Sequence, residues 1–401
     1  MPSFRLAFFS TPFLTSKMTS TVLDTVGNAA KRLKTEVMGS PVTIGTHNGH
    51  FHADEALAVH MLRKHIPAYS SAKLIRTRDP AVLATCHTVV DVGGEYDPAK
   101  NRYDHHQRTF DTVFPGRATK LSSAGLVYMH FGKEIVARSI AAAATAAAAA
   151  DNDDAPKEKE PATAADEATV DLVWNKIYTS FIEAVDANDN GVSVYDPAAL
   201  AAAGIEKRFS DGGFTLGAMV SRLNPNWNDP APADPEAAQK AEDDRFLAAS
   251  ARIGEEFDRD LEYYTRSWLP AREIVEGAFR GRKEVDPTGR ILVFMGQSVP
   301  WKDHLYTLEE AEGETEQKVL YVLYPEKPAP DSKWRVQAVP LTKDSFQSRR
   351  PLPEAWRGVR DEELSEKTGI PGGVFVHAAG FIGGNKTFEG ALAMAKKALE
   401  M

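Results

Sequence analysis

Between Met38 and Ala137, short β-branched runs alternate with longer stretches whose apolar residues recur at helical spacing. "PVTIGTH" (41–47) is short and β-branched, as a buried strand is. "ADEALAVHMLRKHI" sets Ala56, Leu57, Val59, His60 and Leu62 at helical spacing and stops before Pro67. "AKLIRTR" predicts a second strand, and "DPAVLATC" a short helix with Asp79 at the cap and Pro80 in the first turn. "HTVVDVGG" predicts a third strand that ends in Asp91 and two glycines. "SSAGLVYMHFGKEIV" predicts a helix capped by Ser122 or Ser123. Such alternation implies right-handed βαβ crossovers and a largely parallel sheet. In such sheets sites collect beyond the carboxyl ends of the strands, which is where His47 to Asp54 and Asp91 fall.

The pattern changes further along. "NWNDPAPADPEAAQKAEDDRFLAASARIGEEFDRDLEYYTR" reads as a Pro-rich linker followed by a long amphipathic helix. "RILVFMGQSVP" and "VLYVLYP" read as strands, and the last thirty or so residues as a glycine-rich turn before an amphipathic helix. The expected architecture is therefore α/β in two lobes. A mainly parallel sheet flanked by helices spans about 40–225, a linker 226–244, and a smaller mixed α+β lobe 245–401. Residues 141–169 interrupt the first lobe with low-complexity sequence. Its alanines can extend the preceding helix, whereas the rest lacks the apolar surface to offset its ordering entropy.

Residues 1–39 stand apart from the expected fold. The first 23 hold Arg5, Lys17 and no acid, and are rich in Ser, Thr and Phe, which fits a mitochondrial transit segment better than a secretory signal. Met18 offers a second start, and "KRLK" at Lys31–Lys34 is a short nuclear-localisation candidate. The expected location is mitochondrial or nuclear, with the cytoplasm as the alternative.

Composition narrows the function. A length of 401 residues with 43% hydrophobic content supports two cores. No window nears the 18 or more apolar residues of a membrane helix, so no membrane partner is expected. Cys86 is the sole cysteine, so no intramolecular disulfide forms. Of the net charge of −9, eight acids and two lysines between Asp151 and Asp171 account for −6, which leaves room for a local basic groove elsewhere.

The chemistry concentrates in "GTHNGHFHADEALA", where three histidines and two acids fall between His47 and Glu55. His50 and His52 leave the same face of extended backbone, and Asp54 follows at a helix start. Asp91 sits at a strand end, "NRYDHHQRTF" supplies Asp104, His105 and His106, and "FIEAVDANDNGV" supplies Asp186 and Asp189. Taken singly, paired histidines read as turn residues and Asp54 as a helix cap. Together, imidazoles and carboxylates form a ligand set for Mn, Zn or Fe. They are too numerous for one tetrahedral ion and fit two ions about 3.5–4 Å apart, which activate water to attack a phosphorus in line.

"DHHQ" after a strand-end aspartate, with a His/Asp cluster upstream, resembles the DHH phosphoesterase superfamily of RecJ-type exonucleases, oligoribonucleases and family II pyrophosphatases. More closely, "HNGHFHADE", "VVDVGGEYDP", "YDHHQ" and "VDANDNG" are similar to the melanocyte-proliferating-gene family, whose members are described as exonuclease-like. The similarity covers roughly 40–140 and 170–400. It implies that His50 and Asp54 form the first metal motif, with His52 an extra ligand. It makes Asp91 the bridging carboxylate, places His105 on the second metal and sets His106 at the scissile phosphate as ligand or general acid. Asp186 or Asp189 closes the site. One departure is Ala56, which stands where the superfamily has a second aspartate, so that His52 or Glu55 must substitute. Two Mn²⁺ ions are implied, with Mg²⁺ or Zn²⁺ as alternatives.

"GIPGGVFVHAAGFIGGNKTFEGALAMAKKALE" is similar to the DHH-associated domain, which implies nucleic-acid phosphate contact by Gly372, Gly373, His377 and Gly380. Without the resemblance it is a glycine-rich turn before a helix. Arg222 and Lys302 are further phosphate-contact candidates, or else solvated surface cations. The expected function is a metal-dependent phosphodiesterase, a 3′→5′ exonuclease on RNA or a short oligonucleotide. The alternative is a small-molecule nucleotide or pyrophosphate phosphohydrolase, favoured by the lack of a basic, aromatic-rich patch in the sequence. A metal-binding regulatory protein without activity is a third reading.

Overall fold

The computed structural model describes residues 42–150, 165–230, 232–313 and 317–401. The expected targeting segment, the Lys31–Lys34 motif and the acidic part of the low-complexity insertion lie outside the described residues. The chain divides into two compact units between Leu261 and Glu262. That boundary lies downstream of the expected 226–244 linker, because the long helix that follows the prolines buries Phe246, Ala249, Ile253 and Phe257 and belongs with the first unit.

In the first unit, strands β1 (Thr43–Thr46), β2 (Lys73–Arg76), β3 (Thr88–Val90), β4 (Tyr96–Asp97) and β5 (Arg102–Tyr103) form one sheet in the order β2-β1-β3-β5-β4. All pairs are parallel except the β4–β5 hairpin. The hairpin was not apparent in the sequence pattern. It is two residues per strand around Pro98–Lys100, with Asn101 in the left-handed region at φ 57°.

Helix α1 (Ala53–His65) follows β1, and α2 (Pro80–Leu83) follows β2 with Asp79 accepting from the Ala81 N–H at 2.8 Å. Helix α3 (Ser123–Ala150) carries the alanine run as an extension of its C-terminal half. Ala56, Leu57, Val59, Met61 and Leu62 of α1 and Leu126, Val127, Tyr128 and Ile135 of α3 are all buried. Each leucine-sized side chain in that core is worth about 1.5–3 kcal/mol. Helices α4 (Glu167–Ile177) and α5 (Glu183–Asp189) are joined by one π-helical turn, Tyr178–Ile182. Short helices α6 (Pro197–Ala202) and α7 (Leu216–Ser221) precede α8 (Pro235–Tyr263).

The second unit holds α9 (Leu269–Val285), α10 (Lys302–Glu312), α11 (Asp361–Thr368) and α12 (Phe388–Glu400) around a mixed sheet. Its strands are β6 (Ile291–Val293), β7 (Tyr321–Pro325), β8 (Trp334–Ala338), β9 (Gly373–Val376) and β10 (Ile382–Asn385), in the order β6-β7-β8-β10-β9. Only β6 and β7 run parallel. Helix α12 lays Ala391, Met394, Ala395 and Ala398 into this core at i, i+3, i+4, i+7 spacing. The fold is thus α/β with a mainly parallel first sheet and a mixed α+β second unit, as the sequence pattern predicts.

Candidate metal centre

Three neighbouring parallel strands, β1, β3 and β5, end at one edge of the first sheet and release His47, Asp91 and the Asp104–His106 run there. The first turn of α1 adds Asp54 and Glu55, and the last residue of α5 adds Asp189. His47, Asp54, Asp91, the Asp104–His106 run and Asp189 line a cavity of about 790 Å³, with His52, Arg78, Arg108 and Lys120 also in its walls, and Glu55 lies buried behind them.

His47 is buried, with its Nε2 3.1 Å from Glu55 Oε1 and 3.2 Å from Asp91 Oδ2. Burial pulls its pKa down, but the Asp91 and Glu55 carboxylates outweigh that and raise it to about 10. His105 Nε2 lies 3.3 Å from Asp91 Oδ1 and 3.1 Å from Asp189 Oδ2. Its burial likewise opposes, and the Asp189 and Asp91 carboxylates override, so its pKa rises to about 9. Asp91 adopts φ 58° and accepts from Ser123 Oγ at 3.2 Å. A non-glycine residue in that conformation is backbone strain, of a kind that clusters at functional sites. Burial would raise the Asp91 carboxyl, but the His105 and His47 side chains hold it below the usual carboxylate range. Asp54 is fully buried and pushed well above that range, first by burial and then by the charges of Asp91, Asp189 and Glu55.

Three buried polar atoms in this cluster meet no hydrogen-bond partner: Asp54 Oδ1, Glu55 Oε2 and His105 Nε2. His105 has carboxylates within ion-pair distance but not in hydrogen-bond alignment. Buried polar atoms are rarely left unpaired. Four convergent carboxylates, two of them with an orphaned oxygen, fit divalent cations, and imidazole among them favours Mn²⁺, Zn²⁺ or Fe²⁺ over Ca²⁺. Two overlapping groups have ligand atoms within 4.8 Å of one another around Asp91, namely His47, His52, Glu55 and Asp91, and Asp91, His105 and His106; a third group is His52, Asp54 and Asp189.

Asp104 is buried and organises the histidine pair. Its Oδ1 accepts from the His105 N–H at 2.7 Å and from His106 Nδ1 at 2.7 Å, and its Oδ2 accepts from the Gly94 N–H at 2.5 Å. His106 itself is 62% exposed, and the Asp104 hydrogen bond raises its pKa.

The structure departs from the sequence reading at several residues. His50 is exposed and belongs to none of the ligand groups, because the turn through Gly49, at φ 86°, sends it outward, and His47 takes the inner position. Asp186 is not at the metal centre. Its Oδ1 accepts from Ser122 N at 2.9 Å, Ser122 Oγ at 2.7 Å and Gly125 N at 3.1 Å, and its Oδ2 from Tyr178 OH at 2.9 Å. It caps α3, and burial raises its pKa to about 7 against those donors. Arg222 is exposed and donates to the Gly213 carbonyl at 2.9 Å, and Lys302 is an exposed first residue of α10. Neither lines the cavity; Arg78, Arg108 and Lys120, which the sequence did not single out, do.

The glycine-rich stretch is a hairpin, β9 to β10, rather than a turn alone. The Gly373 N–H donates to Ser365 Oγ at 3.0 Å and the Gly380 N–H to the His377 carbonyl at 2.8 Å, so these two amides are committed internally and not offered to an anion. Gly372 and Gly380 have φ 78° and 71°, which explains the glycines there. His377 is exposed, its ring 4.6 Å from that of Phe381.

Among the described residues, four large aromatic side chains stand exposed in the first unit. Tyr195, Phe209, Phe214 and Trp227 are 69%, 74%, 97% and 97% exposed. They fall between Asn190 and Arg245, in a segment that contributes Asn190, Gly217 and Ser221 to the cavity wall.

A parallel sheet whose carboxyl edge gathers buried histidines and carboxylates around orphaned ligand atoms defines a hydrolase of the metal-binding kind. The comparisons with known proteins agree. A family profile described as "Uncharacterised protein family (UPF0160)", MYG1_exonuc, matches residues 43–399. The chain is 46% identical to the MYG1 exonuclease of Mus musculus over 92% of this chain and 88% of that one, and 45% identical to that of Homo sapiens over 92% and 88%. It is 40% identical to a MYG1 protein of Saccharomyces cerevisiae over 93% and 99%. A solved exonuclease RecJ bound to manganese aligns over 94% of both chains at 14% identity and a TM-score of 0.23, too weak a likeness to bear on fold or chemistry. The chain belongs to the MYG1 exonuclease family.

Proposed function

We propose that this protein is a 3′→5′ RNA exonuclease that holds two divalent ions, Mn²⁺ by preference, at the β1–β3–β5 edge. The observation that carries the reading is the convergence of His47, Asp54, Glu55, Asp91, His105 and Asp189 with three buried ligand atoms left unpartnered. Asp91, within 3.3 Å of both His47 and His105, is the natural shared carboxylate. Bound ions supply Lewis-acid activation of a water and of the phosphate. The chain's own groups do the rest. Asp104 fixes His106 through Nδ1 in the cavity wall, where the imidazole is placed to donate to a phosphate oxygen or leaving group. Arg78, Arg108 and Lys120 offset the charge of the phosphodiester.

Two further observations favour a polymer end over a small phosphoester. Exposed Tyr195, Phe209, Phe214 and Trp227 offer faces on which unpaired bases stack, with Lys207, Arg208 and Arg222 among them in sequence. In the second unit, exposed His377 at the β9–β10 hairpin remains a candidate phosphate contact. We assign delivery to mitochondria to residues 1–40, tested by a reporter fusion that loses its address when it starts at Met18.

The test is a mass-spectrometric time course on labelled RNA and DNA oligomers with Mn²⁺, Mg²⁺ or Zn²⁺. The expected result is RNA shortened one nucleotide at a time from its 3′ end, and no product in EDTA. Full turnover in EDTA defeats the metal mechanism. A 5′ ladder or equal turnover of DNA defeats the finer assignment.

A further inference from the structure

Helices α1 and α8 meet at a second histidine–carboxylate cluster, none of whose members lines the cavity. His60 and His65 leave α1 and Asp258 leaves α8, and their ligand atoms lie within 4.8 Å of one another. His60 Nε2 is 3.1 Å from Asp258 Oδ2, and His65 Nε2 is 2.6 Å from Asp258 Oδ1. We propose that His60, His65 and Asp258 form a separate transition-metal site that takes one zinc-class divalent ion, with water completing the shell.

Ligand type comes first. Two imidazoles and one carboxylate suit Zn²⁺, Co²⁺ or Ni²⁺, and three protein ligands leave a fourth tetrahedral position open. Metal–ligand bonds of about 2.0–2.2 Å at tetrahedral angles put neighbouring ligand atoms about 3.3–3.5 Å apart. The His60–Asp258 separation is nearly there, and the His65–Asp258 pair opens by less than an ångström to admit the ion.

The rings are also held in place. A Cβ on Gly254 would lie 2.0 Å from His60 Nδ1, so α8 omits a side chain one turn before Asp258 where the imidazole enters. Glycine inside a helix costs about 1 kcal/mol relative to alanine, a cost that admitting the ring offsets. Phe257 packs edge-on against His65 with centroids 5.8 Å apart. Exposures of 13%, 19% and 30% for His60, His65 and Asp258 leave a path for the ion and its water. The ion would clamp the C-terminal half of α1, whose first turn carries Asp54 and Glu55, to α8.

The rival reading is a hydrogen-bonded triad that joins the helices without metal. The experiment strips the full-length protein with chelator, restores Zn²⁺, removes the excess and counts zinc by elemental analysis. It compares wild type with His65→Ala and with Asp258→Asn, checking each fold by circular dichroism. Asp258→Asn keeps volume and a hydrogen-bond acceptor while removing the anionic ligand, so it serves should His65→Ala fail to fold. The expected result is one zinc fewer per chain in each variant, with Mn²⁺-dependent turnover retained. Equal zinc counts in wild type and a folded variant, or loss of the extra zinc from wild type on dialysis against chelator-free buffer, overturn the site.

Discussion

Gly125 and Asp186 occupy adjoining space so closely that neither position tolerates more. The Gly125 N–H donates to Asp186 Oδ1 at 3.1 Å, and a Cβ on Gly125 would lie 2.4 Å from both carboxylate oxygens. This pairing fixes the start of α3 and thereby Ser123, whose hydroxyl reaches Asp91. Gly125→Ala is expected to cost about 1–3 kcal/mol by overpacking, read as a lower urea midpoint. Asp189→Asn, one turn beyond Asp186, is expected to spare that midpoint and remove turnover. A folded Asp186→Asn variant of unchanged stability and no activity would return Asp186 to the metal.

His47 and His50 make a second contrast. His47→Ala removes a buried contact to both Glu55 and Asp91, and is expected to weaken metal binding by about 10- to 100-fold in a calorimetric titration, with a matching loss of kcat. His50→Ala, exposed and outside the ligand groups, is expected to match wild type in both. The reverse outcome would mean that the 47–52 turn is differently arranged in solution.

That contrast shows what was legible beforehand. The βαβ alternation and the strand-end position of Asp91 follow from periodicity, while the grouping of Asp54 and His105 with either Asp186 or Asp189 was what the resemblance implied. Which of three histidines within six residues faces inward depends on the turn at Gly49, and that turn is set by tertiary contacts such as the Phe51 N–H to Asn224 Oδ1 at 3.0 Å. Asp186 and Asp189 sit three apart on one helix, and only the register of α5 against α3 separates the residue that caps α3 from the one beside His105. Glu55, which the sequence offers beside His52 as a substitute at the Ala56 departure, is distinguished by its buried, unpartnered Oε2 and its 3.1 Å approach to His47. The amides of the glycine-rich hairpin are spent on Ser365 and His377, a commitment that the motif itself does not encode.

Metal removal has a stability readout as well as a catalytic one. Because Asp54, Glu55 and His105 bury unpartnered ligand atoms, Mn²⁺ at a hundred times its dissociation constant is expected to add about 2.7 kcal/mol per site to unfolding, provided the unfolded chain does not bind it. Thermal scans with and without EDTA measure it. An unchanged midpoint would contradict the fit of the centre to a cation.

His130 gives the pH dependence a defined sign. Burial lowers its pKa to about 4, while its Nε2 pairs with Tyr96 OH at 2.9 Å. The folded pKa lies below the unfolded value, so the unfolded chain binds the extra proton between about pH 6.5 and 4. Stability is therefore full above about 6.5 and falls as pH drops through that window, by on the order of 3 kcal/mol in total. Urea titrations of wild type and His130→Gln at pH 7.5 and 5 isolate the effect, since the variant lacks the titrating group. Equal acid sensitivity in both would assign the loss to other residues.

The exposed aromatics separate a polymer substrate from a small one. Phe214 and Trp227 are each 97% exposed, a placement that costs apolar hydration and gains nothing within the unit. Phe214 immediately precedes Thr215, the cap of α7, and α7 contributes Gly217 and Ser221 to the cavity wall. A base stacked on an aromatic ring is worth about 1–3 kcal/mol, or roughly 5- to 150-fold in binding. Trp227→Ala and Phe214→Ala are therefore each expected to lower kcat/KM on an RNA oligomer within that range. Hydrolysis of a small chromogenic phosphodiester, which needs only the metal edge, should stay at the wild-type rate. Equal losses on both substrates would place these rings at the reacting phosphate. No loss on either would leave the small-molecule phosphohydrolase as the better account of the centre.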